Sequence, residues 1–293
     1  MLNQIAKAAG FISQNVTAES VQAAFKVAYK QESALRPNYG RNTSGFGGPR
    51  EWWANVIRGC FARIHIENES GGGSGTGVAR EVPASLVADI LQRFESKEGY
   101  ALFEDVEVFF GRLKSWKKEL QEKKKAGCLG NDDIHNVIIG VVSNSDDRVS
   151  PILRSLGLSV GNAWADSGEL LPRVPPSIPK GEPELNDVDF IVTSYEAREE
   201  KPHRHIFDIA KSRAKEHLLV TDPSCEVDGD WRRIHIGDDY GDDYQGAINA
   251  GWESFLLLRD GMDYLPGTDH RTIGGDVNTL HSLNDVYSQL NQN

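Results

Sequence analysis

Three polar clusters, each just past an apolar run, have residue types that could handle an anionic, oxygen-rich substrate. In the first, Val141-Val142 leads into Ser143-Asn144-Ser145-Asp146. A hydroxyl leaving the tip of an apolar strand can donate to an anionic oxygen; equally, Ser143 can be a turn residue that caps the next helix. In the second, Lys201-Pro202 follows the run that ends at Thr193. Proline suits the first turn of a helix. A lysine just ahead of it can offset developing negative charge, the plain alternative being a solvated surface lysine. The third is Ile234-His235-Ile236-Gly237-Asp238-Asp239-Tyr240-Gly241-Asp242-Asp243-Tyr244-Gln245-Gly246-Ala247, with four acids inside six residues. Hard oxygens at that density suit Mg²⁺, which takes one or two carboxylates with waters and substrate phosphate. Like charges so crowded are costly unless a cation or hydrogen-bond donors offset them. The calcium-loop pattern D-x-[DN]-x-[DN]-G does not fit, and an acidic solvated loop is the alternative.

The elements that must position these clusters read as an α/β fold with a parallel sheet. Apolar runs at Val137–Val142, Val188–Thr193, Ile234–Ile236 and Ser254–Leu258 predict strands. Helices are predicted between them at Val149–Leu156, His205–Lys215 and Asp243–Ala250. Strands alternating with helices give parallel pairing and right-handed crossovers. Ligands of such sheets bind past the carboxyl ends of the strands, where all three clusters fall. Val106 to Lys125 predicts an amphipathic helix whose Lys123-Lys124-Lys125 end suits a helix C-terminus. The first hundred residues read as helical. Val21, Phe25, Ala28 and Tyr29 recur at i, i+4, i+7 and i+8, with a start near Thr17. Further helices are predicted through Trp52, Trp53, Val56, Ile57 and Phe61, with the tryptophans read as core, and over Ser85–Phe94. The domain reading is therefore a helical part over 1–100, with a Gly/Ser loop at 69–77, and an α/β part over 101–293, with a Pro-rich surface insertion at about 159–184.

The 293 residues allow one large domain or two modest ones, at about 100–200 residues each. Lys and Arg total 32 against 43 Asp and Glu, a net charge of −11. That argues against a nucleic-acid partner and against an anionic membrane surface. No apolar run approaches the ~18 residues of a spanning helix. The residues after Met1 do not form a signal peptide. Cys60, Cys128 and Cys225 lie far apart without metal-binding spacing, which predicts a reducing, intracellular setting in cytoplasm or nucleus.

Taken together and in order, the clusters resemble the haloacid dehalogenase-like (HAD) hydrolase superfamily. Ser143-Asn144 looks like its second motif, Lys201-Pro202 its third, and Gly237-Asp238…Asp243…Gly246-Ala247 its fourth. The likeness covers about Asp105 to Gln289. The helical part looks like the superfamily's inserted cap, and Asn38-Tyr39-Gly40 with Arg50-Glu51-Trp52-Trp53 is similar to one eukaryotic branch. The resemblance implies a Rossmann-like core and phosphatase-type chemistry on a small phosphorylated metabolite. In that chemistry an aspartate attacks phosphorus, a second aspartate serves as general acid, and Mg²⁺ bridges nucleophile and phosphate. Ser143 and Asn144 would serve the phosphoryl group and Lys201 would stabilise charge. Asp238 would bind metal, with Asp243 a ligand or its support. The acidic fourth motif favours a metal-dependent phosphatase over a true dehalogenase, which needs no metal.

The first motif, D-x-D-x-[TV] at the end of a first strand, is lacking. No aspartate precedes residue 17, and Asp105 opens a helix instead of ending a strand. That first strand is central in the superfamily's sheet, between those bearing the second and fourth motifs. Two interior edges are therefore expected to face a gap. The expectation is that an upstream segment supplies nucleophile and strand, the alternative being a degenerate, non-catalytic relative that serves as a binding or regulatory module.

Overall fold

A computed structural model describes residues 2–69, 81–130, 133–161, 185–223, 225, 229, 231–259 and 277–290. Its helices are α1 (Leu2–Ala8), α2 (Ala18–Leu35), α3 (Pro49–Glu69), α4 (Ala84–Phe94), α5 (Glu104–Lys125), α6 (Val149–Ser155), α7 (Ser194–Ala197), α8 (Arg204–Thr221), α9 (Gly246–Asn249) and α10 (Val286–Leu290). Its strands are β1 (Gly140–Ser143), β2 (Phe190–Thr193), β3 (Ile234–Gly237), β4 (Glu253–Leu257) and β5 (Thr279–Leu280). The chain divides into two compact units, Met1–Ala101 with Ser145–Leu156, and Leu102–Asn144 with Gly157–Asn293. Most of the Gly/Ser loop and of the Pro-rich insertion lies outside the described residues. No helix of the described residues is long and apolar enough to cross a membrane.

The first unit is built on α2 and α3. The Thr17 hydroxyl accepts the Ser20 N–H at 3.1 Å and so caps α2, a contact worth about 1 kcal/mol over alanine. Val21, Ala24 and Ala28 of α2 are buried, as are Trp52, Val56, Ile57 and Cys60 of α3, and the two helices pack together. Close approach comes from small residues: a Cβ on Gly59 would lie 3.4 Å from the Ala28 methyl. Trp52 is core and donates its indole N–H to the Arg36 carbonyl at 2.9 Å. Trp53 does more than pack, because its indole N–H donates to Asp146 at 2.7 Å. Asp146 is fully buried. It also accepts from Arg148 Nε at 2.7 Å and Nη2 at 2.9 Å, and that guanidinium lies 4.3 Å over the Trp53 ring. These bonds tie the segment Ser145–Leu156 to the helical unit.

In the second unit every strand pair is parallel, and parallel sheets bury both faces under helices. One face packs Val142, Phe190 and Val192 against Ile206, Phe207 and Ala210 of α8. The other packs Ile139, Ile234, Ile236, Phe255 and Leu257 against Phe109 and Leu113 of α5 and Val286 of α10. The predicted strand at Val137–Val142 begins only at Gly140. Ahead of it, the Ile139 N–H donates to the Asp189 side chain at 2.8 Å. Val188, predicted to open β2, instead bridges Val160. The predicted helix at Asp243–Ala250 is preceded by a π-helical turn over Tyr240–Gln245, and α9 proper spans four residues. Below the strands, Lys117 Nζ donates to Asp189 Oδ2 at 2.7 Å and to the Asn186 carbonyl at 3.3 Å, with both charged side chains buried. Asp187 accepts from the Ser159 backbone and hydroxyl, each at 2.7 Å.

The sheet is divided. Among the described residues β1 pairs only with β2, and β3 only with β4 on its way to β5. β1 is half-buried to exposed and β3 largely half-buried, whereas β2 and β4 are mostly buried. Among the described residues one edge of β1 and one edge of β3 therefore carry no strand partner. Unpaired, partly apolar edges are templates for pairing with another chain, so this chain is expected to self-associate. Size-exclusion chromatography across a concentration series checks this; a monomer at every concentration would refute it.

Candidate functional site

The three polar clusters converge at the carboxyl ends of β1 and β3. Ser143 is the last residue of β1, half-buried and in register with Thr193 of β2. Asn144 follows it. Its Oδ1 accepts the Lys201 backbone N–H at 2.6 Å, and its Nδ2 donates to the Lys201 carbonyl at 3.0 Å and to Asp242 Oδ2 at 3.1 Å. Lys201 lies in the loop between α7 and α8. Its ammonium donates to the Val142 carbonyl at 2.9 Å and to Asp243 Oδ1 at 2.5 Å. Asn144, Lys201 and Asp243 thus form one hydrogen-bonded group, and Ser143 enters it only as the chain neighbour of Asn144. Asp238, directly after β3, is exposed at its border.

The acidic segment folds back by local chemistry. Asp239 Oδ1 accepts the Asp242 N–H at 2.7 Å and opens the π-helical turn; such turns recur at functional sites. The turn brings the buried Asp243 carboxylate back to the strand end, where Asp243 Oδ2 accepts the Asp239 N–H at 3.1 Å. Gly237 makes room for it, since a Cβ there would stand 2.2 Å from Asp243 Cγ. Gly246 does the same for the Lys201-Pro202 loop, where a Cβ would meet Pro202 Cα at 2.9 Å. Replacing Gly237 by alanine is expected to cost about 1–3 kcal/mol by overpacking and to push the carboxylate off Lys201. Urea denaturation checks the first effect, and an unchanged midpoint would contradict it.

Sequence reasoning missed His235. It is buried on β3, and its Nε2 lies 2.9 Å from Asp243 Oδ1. The signal was present: one polar residue within the apolar Ile234-His235-Ile236 needs a buried partner. Burial pushes the Asp243 carboxyl upward, but the His235 hydrogen bond and the Lys201 charge outweigh it and hold the group well below the usual carboxylate range. Asp242 moves the other way, raised by burial and by the charges of Asp239 and Asp243. Glu200 is likewise raised by burial and by Asp242. A cation near Asp242 would relieve this crowding. Among the described residues no three His, Cys, Asp or Glu side chains are grouped to hold a metal. Mg²⁺ needs only one or two carboxylates with waters, and the crowded Asp242 carboxylate is of that kind.

Other aspartates near strands are committed elsewhere. Asp105 accepts from Arg259 at 2.7 Å, the Leu283 N–H at 2.8 Å and the Ser282 hydroxyl at 3.1 Å. Asp187 and Asp189, a D-x-D pair in sequence, precede β2 and are held by Ser159 and Lys117.

No family model matches the chain. The haloacid dehalogenase-like hydrolase domain-containing protein 3 of Danio rerio is 28% identical over 274 residues, 93% of this chain and 82% of that protein. Its Homo sapiens counterpart is 24% identical over 243 residues, 83% of this chain and 69% of that protein. An uncharacterized Saccharomyces cerevisiae protein is 28% identical over 239 residues, 80% of this chain and 59% of its own length. Among solved structures, a HAD-hydrolase from Bacillus subtilis bound to magnesium aligns over 99% of this chain and 89% of its own, with 15% identity and a TM-score of 0.50, a likeness of fold. In sequence and in fold, the chain resembles the haloacid dehalogenase-like hydrolases.

Proposed function

We propose that the second unit carries the phosphate-handling side of a Mg²⁺-dependent phosphomonoester hydrolase of the aspartyl-phosphate type, and that the helical unit is its cap. The observation that carries this reading is the Lys201 ammonium, held between the Val142 carbonyl and Asp243 beside Ser143. Ser143 donates its hydroxyl to a phosphoryl oxygen, and Lys201 offsets charge on the transferring group. Asp238 would hold the metal. Asp243, already accepting from Lys201, His235 and the Asp239 N–H, supports the site from behind. Bound Mg²⁺ neutralises phosphoryl charge and polarises its oxygens. The substrate is a small phosphorylated metabolite; the net charge of −11 disfavours nucleic acid. The setting proposed is cytoplasm or nucleus.

The attacking carboxylate is the gap in this set. This chain is therefore expected to show no Mg²⁺-dependent turnover of an aryl phosphate, whereas a version carrying an apolar strand ending in D-x-D ahead of Leu2 gains it. Clear Mg²⁺-dependent turnover of the aryl phosphate by the 293-residue chain would overturn the reading. A non-catalytic binding or regulatory role is the second reading. It is favoured by the saturation of Asp243, whose oxygens already accept from Lys201, His235 and the Asp239 N–H. Failure of the strand-bearing version, with its fold intact, would select it.

A further inference from the structure

We propose that Asn144 and His235 are positioning residues that fix the Lys201 ammonium from two sides, Asn144 through the Lys201 backbone and His235 through Asp243. The catalytic meaning of this rests on the phosphate reading; the geometry does not. Asn144 satisfies both backbone polar groups of a residue 57 positions away, with Oδ1 facing the N–H and Nδ2 facing the carbonyl. Only an amide side chain carries an acceptor and a donor in that fork. A carboxylate at this position would lack the donor and would face Asp242. Asn144 therefore sets where the Lys201 main chain lies, and with it the reach of the ammonium.

His235 acts at the other end of the same side chain. Asp243 is ionised and can only accept, so His235 Nε2 is the donor. Lys201 Nζ and His235 Nε2 share one oxygen, Asp243 Oδ1, while Oδ2 takes the Asp239 N–H. The imidazole is itself held: the Phe207 ring stands edge-on to it at 5.3 Å and 89°. The carboxylate cannot rotate without breaking bonds on both oxygens. Lys201 thus meets an acceptor fixed by β3 and a backbone fixed by the residue after β1, which sets the ammonium at the gap between those strands.

Competitive acylation with acetic anhydride, read by peptide mass spectrometry, tests this without any turnover. Lys201 is compared with Lys117, whose pair with Asp189 lies in the same unit. Loss of the His235 bond to Asp243, or of the Asn144 bonds to the Lys201 backbone, is expected to raise Lys201 acylation roughly ten-fold in His235→Met and in Asn144→Ala. His235→Gln, which keeps a donor, restores the slow rate. If Lys117 accelerates too, the fold has been disturbed, and His235→Gln against the shorter His235→Asn then decides. Equal Lys201 rates across all these variants, with Lys117 unchanged, would overturn the positioning roles. Inorganic phosphate provides a separate arm. Protection of Lys201 by phosphate in the unaltered chain supports the phosphate reading. Lack of protection, with the variant effects intact, defeats that reading and leaves the positioning roles standing.

Discussion

Replacing Asp189 by alanine is expected to cost about 3–5 kcal/mol of stability, because it leaves a buried ammonium behind. Lys117 and Asp189 are 6% and 7% exposed, and among the described residues the only other acceptor of Lys117 is the Asn186 carbonyl at 3.3 Å. The same substitution strips the Ile139 N–H of its acceptor just below β1. Domains have about 5–15 kcal/mol in total, so one side chain would remove a large share. The melting temperature should fall by about 10 °C or more. Converting both partners to apolar residues of similar volume, Lys117→Met with Asp189→Leu, should recover the part due to the stranded charge, while the Ile139 N–H stays without its acceptor. Urea and thermal unfolding of the three proteins check this. A single-variant loss below about 1 kcal/mol, the range of exposed pairs, would show that water reaches this pair.

The second large effect is at Asp243. Asp243→Ala leaves the Lys201 ammonium and the His235 N–H without their shared acceptor, again at about 3–5 kcal/mol. Asp243→Asn keeps the shape and removes the charge, which isolates the pH dependence. The folded-state pKa of Asp243 is depressed despite burial, by His235 and Lys201. A depressed carboxylate contributes stability that is fully present above the unfolded value of about 4 and is lost as pH falls through the folded value. Asp187 and Asp105 are lowered too: burial opposes the shift, and donors from Ser159 and from Arg259, Leu283 and Ser282 outweigh it. The parent protein should therefore lose stability steeply below about pH 4. Each such group adds up to about 1.4 kcal/mol per pH unit to the slope. Asp243→Asn should show a shallower acid limb and the same plateau shape near neutrality. Parallel acid limbs in denaturant titrations would mean that the Asp243 bonds do not hold in solution.

Much of this was legible in sequence where the signal is local. The expected strand ends at Val142, Thr193 and Ile236 lie at or one residue short of the observed Ser143, Thr193 and Gly237, because each apolar run stops there, and those ends carry the site. What was not legible depends on partners far along the chain. Val137–Ile139 is as apolar as any strand, yet pairing starts at Gly140 because Asp189 takes the Ile139 N–H. β5 has two residues, too few for any periodicity. The π-helical turn over Tyr240–Gln245 reads in sequence as an acidic loop, because its order comes from Asp239 capping it and from Asp243 turning inward. Asn144 was legible as a candidate but not as a clamp, since the backbone it holds belongs to Lys201. Trp53 looked like core until Asp146, 93 residues later, supplied its acceptor.

That last bond has a consequence for the order in which the protein is made. The helical unit is discontinuous: α1 to α4 emerge first, but the carboxylate that satisfies Trp53 arrives only with Asp146, and α6 with Leu156. By then β1 has been synthesised and its ladder partner β2 has not. At about 5–20 residues per second, several seconds pass before β2 follows. The helical unit can therefore close around Asp146 before β1 has its β2 partner. During that interval the β2 side of β1 is open, the stage of biosynthesis at which a nascent chain most needs protection from a neighbour's edge.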